Sequence, residues 1–239
     1  MTLAEAAGLL ALDPPGWGGV LLRGLATSLA VAVLGYCAGL LIGVGGALMR
    51  LYGRPWMQDL ALVYATLVRA VPELVLILLV YFAGTAALNA VLAALGWGPV
   101  DVSGFAAGVT VIALVQGAYA TEVIRGAIGA IPRGQIEAAA AFGLRPAQIL
   151  HRITLPAMLP HALPGLANLW LIATKDTALL AIVGFTELTL ATRQAAGTTK
   201  HYLLFFGAAG LLYLAVTLLS EAVFRRLDRR GRRHLAGRA

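Results

Sequence analysis

The chain has 239 residues, of which 60% are hydrophobic and 12% charged, about half the charged share of a soluble globule, which excludes a mostly wet surface. A formal charge of +7 invites a nucleic-acid reading. However, seven of the basic residues (Arg225, Arg226, Arg229, Arg230, Arg232, Arg233 and Arg238) crowd the end of the chain behind an apolar span, where they read as a cytoplasmic anchor on anionic lipid.

The apolar stretches are long and continuous, which points to spanning helices and not to an alternating barrel. No basic region precedes the first apolar residues, and Asp13-Pro14-Pro15 breaks them early, so no cleavable signal peptide is read. The first span is charge-free from Gly24 to Met49, with a helix predicted over 20–49. Gly35, Gly39 and Gly43 recur there at every fourth residue, the spacing of a close helix contact. Cys37, the single cysteine, excludes an internal disulfide and reads as a small packing residue.

After a basic turn at Arg50 and Arg54, the apolar region from Trp56 to Leu95 is interrupted by Asp59, Arg69, Pro72 and Glu73; a helix is predicted over 57–84. A loop without Lys or Arg follows, then a helix over 104–126. Residues 127–156 are polar and helix-prone, and further helices are predicted over 158–178 and 202–225. Trp17, Trp56, Trp97 and Tyr202 fall near these boundaries, where amphipathic rings anchor.

Charge orients this set. With the basic ends at Arg50/Arg54, Arg125–Arg152 and Arg225 onward placed in the cytoplasm, crossings between them must be even in number. About five helices result, with the N-terminus outside and the C-terminus cytoplasmic. Thirteen of the 18 basic residues then lie inside, Arg23, Arg193 and Lys200 outside, and Arg69 and Lys175 at uncertain depth. The fold class is all-α: one polytopic membrane helical bundle over 1–239.

The polar stretch contains two short helices. Pro132 suits the first turn of one, which reaches Phe142, and Gly143 is a left-handed stop. Pro146 opens a second that is expected to end before Pro156. Such an elbow is either a docking knob for another protein or an amphipathic connector on the membrane surface.

Specific residues here resemble a known family. Glu137-Ala138-Ala139, Gly143 six residues after the Glu, and Ile153-x-Leu155-Pro156 are similar to the cytoplasmic loop of bacterial ABC importer permeases. Gly117-Ala118-Tyr119 with Glu122, Arg133-Gly134-Gln135, and Ala162-Leu163-Pro164-Gly165 with Asn168 resemble the polar amino acid uptake branch. Val68 to Val75, with Glu73 directly after Pro72, resembles the Q-type permease subunit of histidine and lysine/arginine/ornithine transporters. Ala70 departs from the glycine usual in relatives.

The resemblance implies a type I, MetI-like permease in the bacterial inner membrane, itself not an enzyme. It implies a second homologous permease chain or a homodimer, two ATPase subunits that hold ATP and Mg, and a periplasmic or surface amino-acid-binding protein. It assigns Gln135, Glu137, Ala138, Ala139, Gly143, Leu144, Ile153 and Pro156 to coupling with the ATPase, which would move this elbow as a lever.

No phosphate-binding Gly-x4-Gly-Lys-Ser/Thr is present, and the only lysines are Lys175 and Lys200, so energy must come from another chain. Scattered His151, His161, His201 and His234 give no metal-ligand spacing. Charges at membrane depth carry the substrate information, because each is expensive to bury. Arg69 and Glu73 are four apart and are expected on one helical face, loosened by Pro72. They either neutralise each other at a kink, or Glu73 meets the cationic side chain of a basic amino acid. Asn168 offers an amide to an α-carboxylate or α-ammonium group; Lys175 and Asp176 either cap their helix or touch substrate. Glu122 and Arg125 are expected to pair. A permease for another amino acid or an opine, and an ATP-independent carrier, are the rival readings.

Overall fold

The computed structural model describes residues 2–236, without the side chains of residues 3 and 230–236. Arg238, and the side chains of Arg230, Arg232 and Arg233, therefore lie outside the described residues. All regular structure among these residues is helical. A short α1 (Leu3–Leu9) is started by Thr2, whose hydroxyl accepts the Glu5 N–H while Glu5 reaches back to the Thr2 N–H. The following α2 (Gly18–Tyr52) is 35 residues long, about 52 Å at the helical rise. It overruns the predicted 20–49 at both ends.

Where one helix was predicted over 57–84, there are two. α3 (Pro55–Ala70) stops at Val71, which is extended (ψ 134°), and α4 (Glu73–Leu78) starts after Pro72. Proline lacks the N–H that would continue the ladder, and its ring pushes the preceding residue out of helical geometry. From α4 the chain continues through a π-helical turn, Leu79–Gly84, into α5 (Thr85–Ala94). The membrane-length apolar segment is thus Glu73–Ala94.

α6 (Gly104–Gly129) is capped by Ser103, whose hydroxyl accepts the Ala106 N–H. α7 (Arg133–Ala141) and α8 (Pro146–Ile149) form the elbow. The second elbow helix does not end before Pro156 as expected. It passes through a π-helical turn, Leu150–Thr154, into α9 (Leu155–Asp176), giving one apolar segment Pro146–Val183. Pro156 falls in the first turn of α9, where a missing N–H does least damage, and the π turn just before it loosens the ladder.

A 3₁₀ turn (Thr177–Val183) follows, closed by Gly184 at φ +78°. The next helix, α10 (Leu188–Thr199), falls between the helices predicted over 158–178 and 202–225; it buries Ala191, Ala195 and Ala196. α11 (Tyr202–Ala236) completes the chain. Among the described residues, five segments are long and apolar enough to cross a membrane: Gly18–Tyr52, Glu73–Ala94, Gly104–Gly129, Pro146–Val183 and Tyr202–Arg229.

The most extensive helix contact among the described residues joins α2 and α6. Gly35, Gly39, Gly43 and Gly46 face Ile112, Gln116, Ala120 and Thr121; a Cβ at Gly43 would lie 2.4 Å from that of Ala120. Absent side chains let the backbones approach, and dispersion over that length holds the pair. Cys37, read as a small packing residue, is exposed on this chain. A second cluster joins α2, α10 and α11 through Leu21, Leu188 and Phe205. Leu203, Leu211 and Leu219 on α11 are strongly exposed, which suits a surface in contact with hydrocarbon.

Candidate functional site

The elbow is built by local chemistry. At the end of α7 the Leu144 N–H bonds the Ala139 carbonyl (3.2 Å) and the Gly143 N–H bonds that of Ala140 (2.9 Å). This is a Schellman closure, and it needs a residue at positive φ; Gly143 sits at +75°. Arg145 then starts α8, its N–H donated to Gln148 Oε1 at 2.9 Å. Gln135, Glu137, Ala138 and Gly143 are exposed, Ala139 is buried, and Leu144, Ile153 and Pro156 are half-buried. The Phe142 ring is 86% exposed at the tip. Phe142 lines a shallow depression with Gln135, Ala138, Ala139, Leu144 and Ile153. An apolar cavity of about 330 Å³ separates the elbow from the end of α2, between Tyr52, Ile136 and Leu150.

A charged node lies where α2 and α6 approach the elbow. Glu122 Oε2 accepts from Arg125 Nε (2.9 Å) and Nη2 (2.7 Å), the expected pair. Arg50 Nη1 stands 3.6 Å from Glu122 Oε1, and Arg69 lies within electrostatic reach of the same carboxylate. Two guanidinium groups, from α2 and α6, thus share one acid with a third on α3 in electrostatic range; the sequence alone paired only Arg125.

Arg69 and Glu73 do not share a helical face. The break at Val71–Pro72 puts them on α3 and α4, and no ion pair joins them among the described residues. Arg69 is exposed and donates from Nε to the Ala65 carbonyl at 2.9 Å. Pro72 caps α4 and Glu73, half-buried, is its first residue. The field of Glu73 instead reaches Asp176, and α4 packs on the 3₁₀ turn that follows Asp176. Asp176 is half-buried at the end of α9 with Lys175 exposed beside it; Asn168 is exposed two turns earlier. The fold therefore brings Glu73 within electrostatic reach of Asp176, beside Lys175, and Arg69 within reach of the Glu122 node.

Two buried polar groups escaped the sequence reading. Glu187, between α9 and α10, is fully buried. Its Oε1 accepts the Leu190 N–H (2.8 Å), and its Oε2 accepts the Ser28 hydroxyl (3.1 Å) and the Tyr213 hydroxyl (3.3 Å). Burial pushes its carboxyl above the usual range, against these hydrogen bonds. The available signal was an acid interrupting an apolar run three residues past a glycine, Gly184. Gln116 is buried in the α2–α6 seam with neither amide atom paired to protein.

A family model described as "Binding-protein-dependent transport system inner membrane component" matches residues 35–233. The octopine transport system permease protein OccQ of Rhizobium radiobacter is 37% identical over 228 residues, spanning 95% of this chain and 96% of its own. The histidine/lysine/arginine/ornithine transport system permease protein HisQ of Escherichia coli (strain K12) is 38% identical over 215 residues, 90% of this chain and 94% of its own. A crystal structure of an amino acid ABC transporter with histidines superposes with a TM-score of 0.77 at 27% identity, covering 90% of this chain and 95% of that one. The methionine ABC transporter MetNI, in an inward-facing form, shares the fold with a TM-score of 0.73 at 19% identity, over 89% and 96% of the two chains.

Proposed function

Since the chain belongs to the family of binding-protein-dependent transport system inner membrane components, we propose that it is the membrane-spanning permease of an ATP-driven importer that brings a basic amino acid (histidine, lysine, arginine or ornithine) into the cytoplasm. The observation that carries the coupling role is the elbow: a rigid α7 closed by Gly143, with Phe142 presented at its tip. A carrier driven by an ion gradient has no use for such a knob. Gln135, Glu137, Ala138, Ala139, Leu144, Ile153 and Pro156 form or support the face that an ATPase subunit would grip. Closure of two such subunits on ATP and Mg would move α7 as a lever against the Glu122 node, and so against α2 and α6.

The convergence of Glu73 and Asp176 supports a cationic substrate. Two acidic side chains set near each other give the path an acidic character, and complementary charge favours basic over neutral side chains. Asn168, on the same helix as Asp176, would meet a polar end of the molecule. An opine is the second reading, favoured by a relative named for octopine at similar identity. Octopine also carries a guanidinium group, so the same acids serve both. The chain works with a second permease, its own copy or a homologue, and receives substrate from a binding protein. Its N-terminus lies outside and its C-terminus in the cytoplasm, where Arg225, Arg226 and Arg229 on α11 face anionic lipid.

The test is purification from mild detergent with mass spectrometry of the co-purifying chains, followed by ATP-dependent arginine uptake in proteoliposomes. Recovery of an ATPase subunit and a Glu73→Gln variant with weakened arginine uptake are expected. A chain that purifies alone and moves solute without ATP would refute the coupling; unchanged arginine affinity in Glu73→Gln would refute the role of the acid.

A further inference from the structure

Glu187 is a fully buried acid without an ion pair among the described residues, and its hydrogen bonds lead somewhere specific. Ser28 on α2 donates to Glu187 Oε2 and accepts the Leu188 N–H at 3.2 Å. Tyr213 on α11 donates to the same oxygen, and Thr189 lies 3.3 Å from the Tyr213 hydroxyl. The Tyr213 hydroxyl also lies beside that of Thr177. Thr177 is fully buried, donates to the Thr174 carbonyl at 2.9 Å, and directly follows Asp176.

The location matters because α9 ends at Asp176. Beyond it the backbone tightens into a 3₁₀ turn, Thr177–Val183, so Asp176 stands at the junction of two helical geometries. The turn packs against α2 and α10, and Thr177 at its start adjoins the Tyr213–Glu187–Ser28 chain drawn from α11, α10 and α2. Buried polar networks of this kind specify one arrangement when every member is satisfied. Removing one member leaves its partners unpaired where water does not replace them.

We infer that Glu187 is a positioning residue for the substrate path: through Tyr213 and Thr177 it sets the turn that presents Asp176 opposite Glu73. This rests on the reading above that Asp176 meets the cationic end of the substrate. Glu187 itself touches no substrate. It converts the packing of α2, α10 and α11 into the placement of a carboxylate on α9, so its loss should damage recognition of charge more than transport in general.

The test uses the assembled transporter in proteoliposomes, with arginine as the cationic probe and glutamine as the neutral one. Tyr213→Phe, which keeps the ring and removes only the hydroxyl, and Glu187→Gln are compared with Asp176→Asn and with the double variants. Expected is a rise in the arginine KM of roughly five- to tenfold in each single variant, with a smaller change for glutamine. In the Asp176→Asn background the further effect of Tyr213→Phe should largely vanish, because both act on one group. If Asp176→Asn raises the arginine KM while Tyr213→Phe and Glu187→Gln lower only thermal stability, the network is purely structural and the inference falls alone. If Asp176→Asn leaves the arginine KM unchanged, the substrate role of Asp176 falls and the inference with it.

Discussion

Replacing Gly43 by alanine tests the α2–α6 seam directly. The new methyl carbon would stand 2.4 Å from Ala120 Cβ and 3.1 Å from both the Ala120 carbonyl carbon and the Thr121 nitrogen. Carbon atoms settle at about 3.5–4.0 Å, so the helices must part by about 1 Å or more. Two of the three clashing atoms are backbone and cannot rotate away. A gap of about 0.5–1 Å forfeits a quarter to a half of each neighbouring dispersion contact, and those run from Gly35–Ile112 to Gly46–Thr121. Overpacking of this kind costs about 1–3 kcal/mol. Alanine also favours helix over glycine by up to about 1 kcal/mol, which must be removed to see the clash. Gly45 supplies the control: it is two residues away, exposed, and a Cβ there meets nothing within 4 Å. Thermal denaturation of the purified assembly should place Gly43→Ala below Gly45→Ala by about 2–12 °C, the shift that 1–3 kcal/mol produces in a chain of this size. Equal midpoints would refute the argument that the backbones touch through these glycines.

Three further expectations follow from other parts of the fold. Gly143→Ala should reduce the ATPase recovered per permease more than Gly143→Asn, because φ of +75° costs an ordinary side chain about 1–2 kcal/mol while asparagine tolerates it; equal recovery from both variants would dissociate the elbow geometry from docking. Glu122→Gln leaves Arg50 and Arg125 without their shared counter-charge and should destabilise the chain by about 1–3 kcal/mol, read as a lower midpoint in the same scan. Gln116→Met replaces a buried, unpaired amide by an apolar chain of similar length and should raise the midpoint, by an amount corresponding to about 1–3 kcal/mol; a lowered midpoint would mean that the amide is paired after all.

The local features were legible in the sequence because their causes are local. Five apolar runs of membrane length announce five spanning helices, since hydrocarbon tolerates only backbone that bonds within its own segment. Gly35, Gly39 and Gly43 announced a close contact through spacing alone, although not that α6 was the partner. Gly143 announced a left-handed helix end, because only a residue without Cβ adopts it freely. Pro72 was seen as a weak point, but whether it kinks one helix or divides two depends on what packs around Val71. Pro156 misled in the other direction: a π turn accommodated a proline that looked like a stop.

The groups on which the function depends were decided by the tertiary structure. Arg69 and Glu73 are four apart in the chain, yet the break between them sends one toward Glu122 and the other toward Asp176. Glu122 was paired with Arg125 three residues away, but Arg50 joins it from another helix. Glu187 and Ser28 are 159 residues apart, and no pattern of either residue's neighbours predicts their bond. Hydropathy and turn chemistry act over a few residues and determine which segments cross the membrane and where they turn. Which charges then meet inside is set by helix packing across the whole chain, because an ionised group in a dry interior finds its partner through space and not along the sequence.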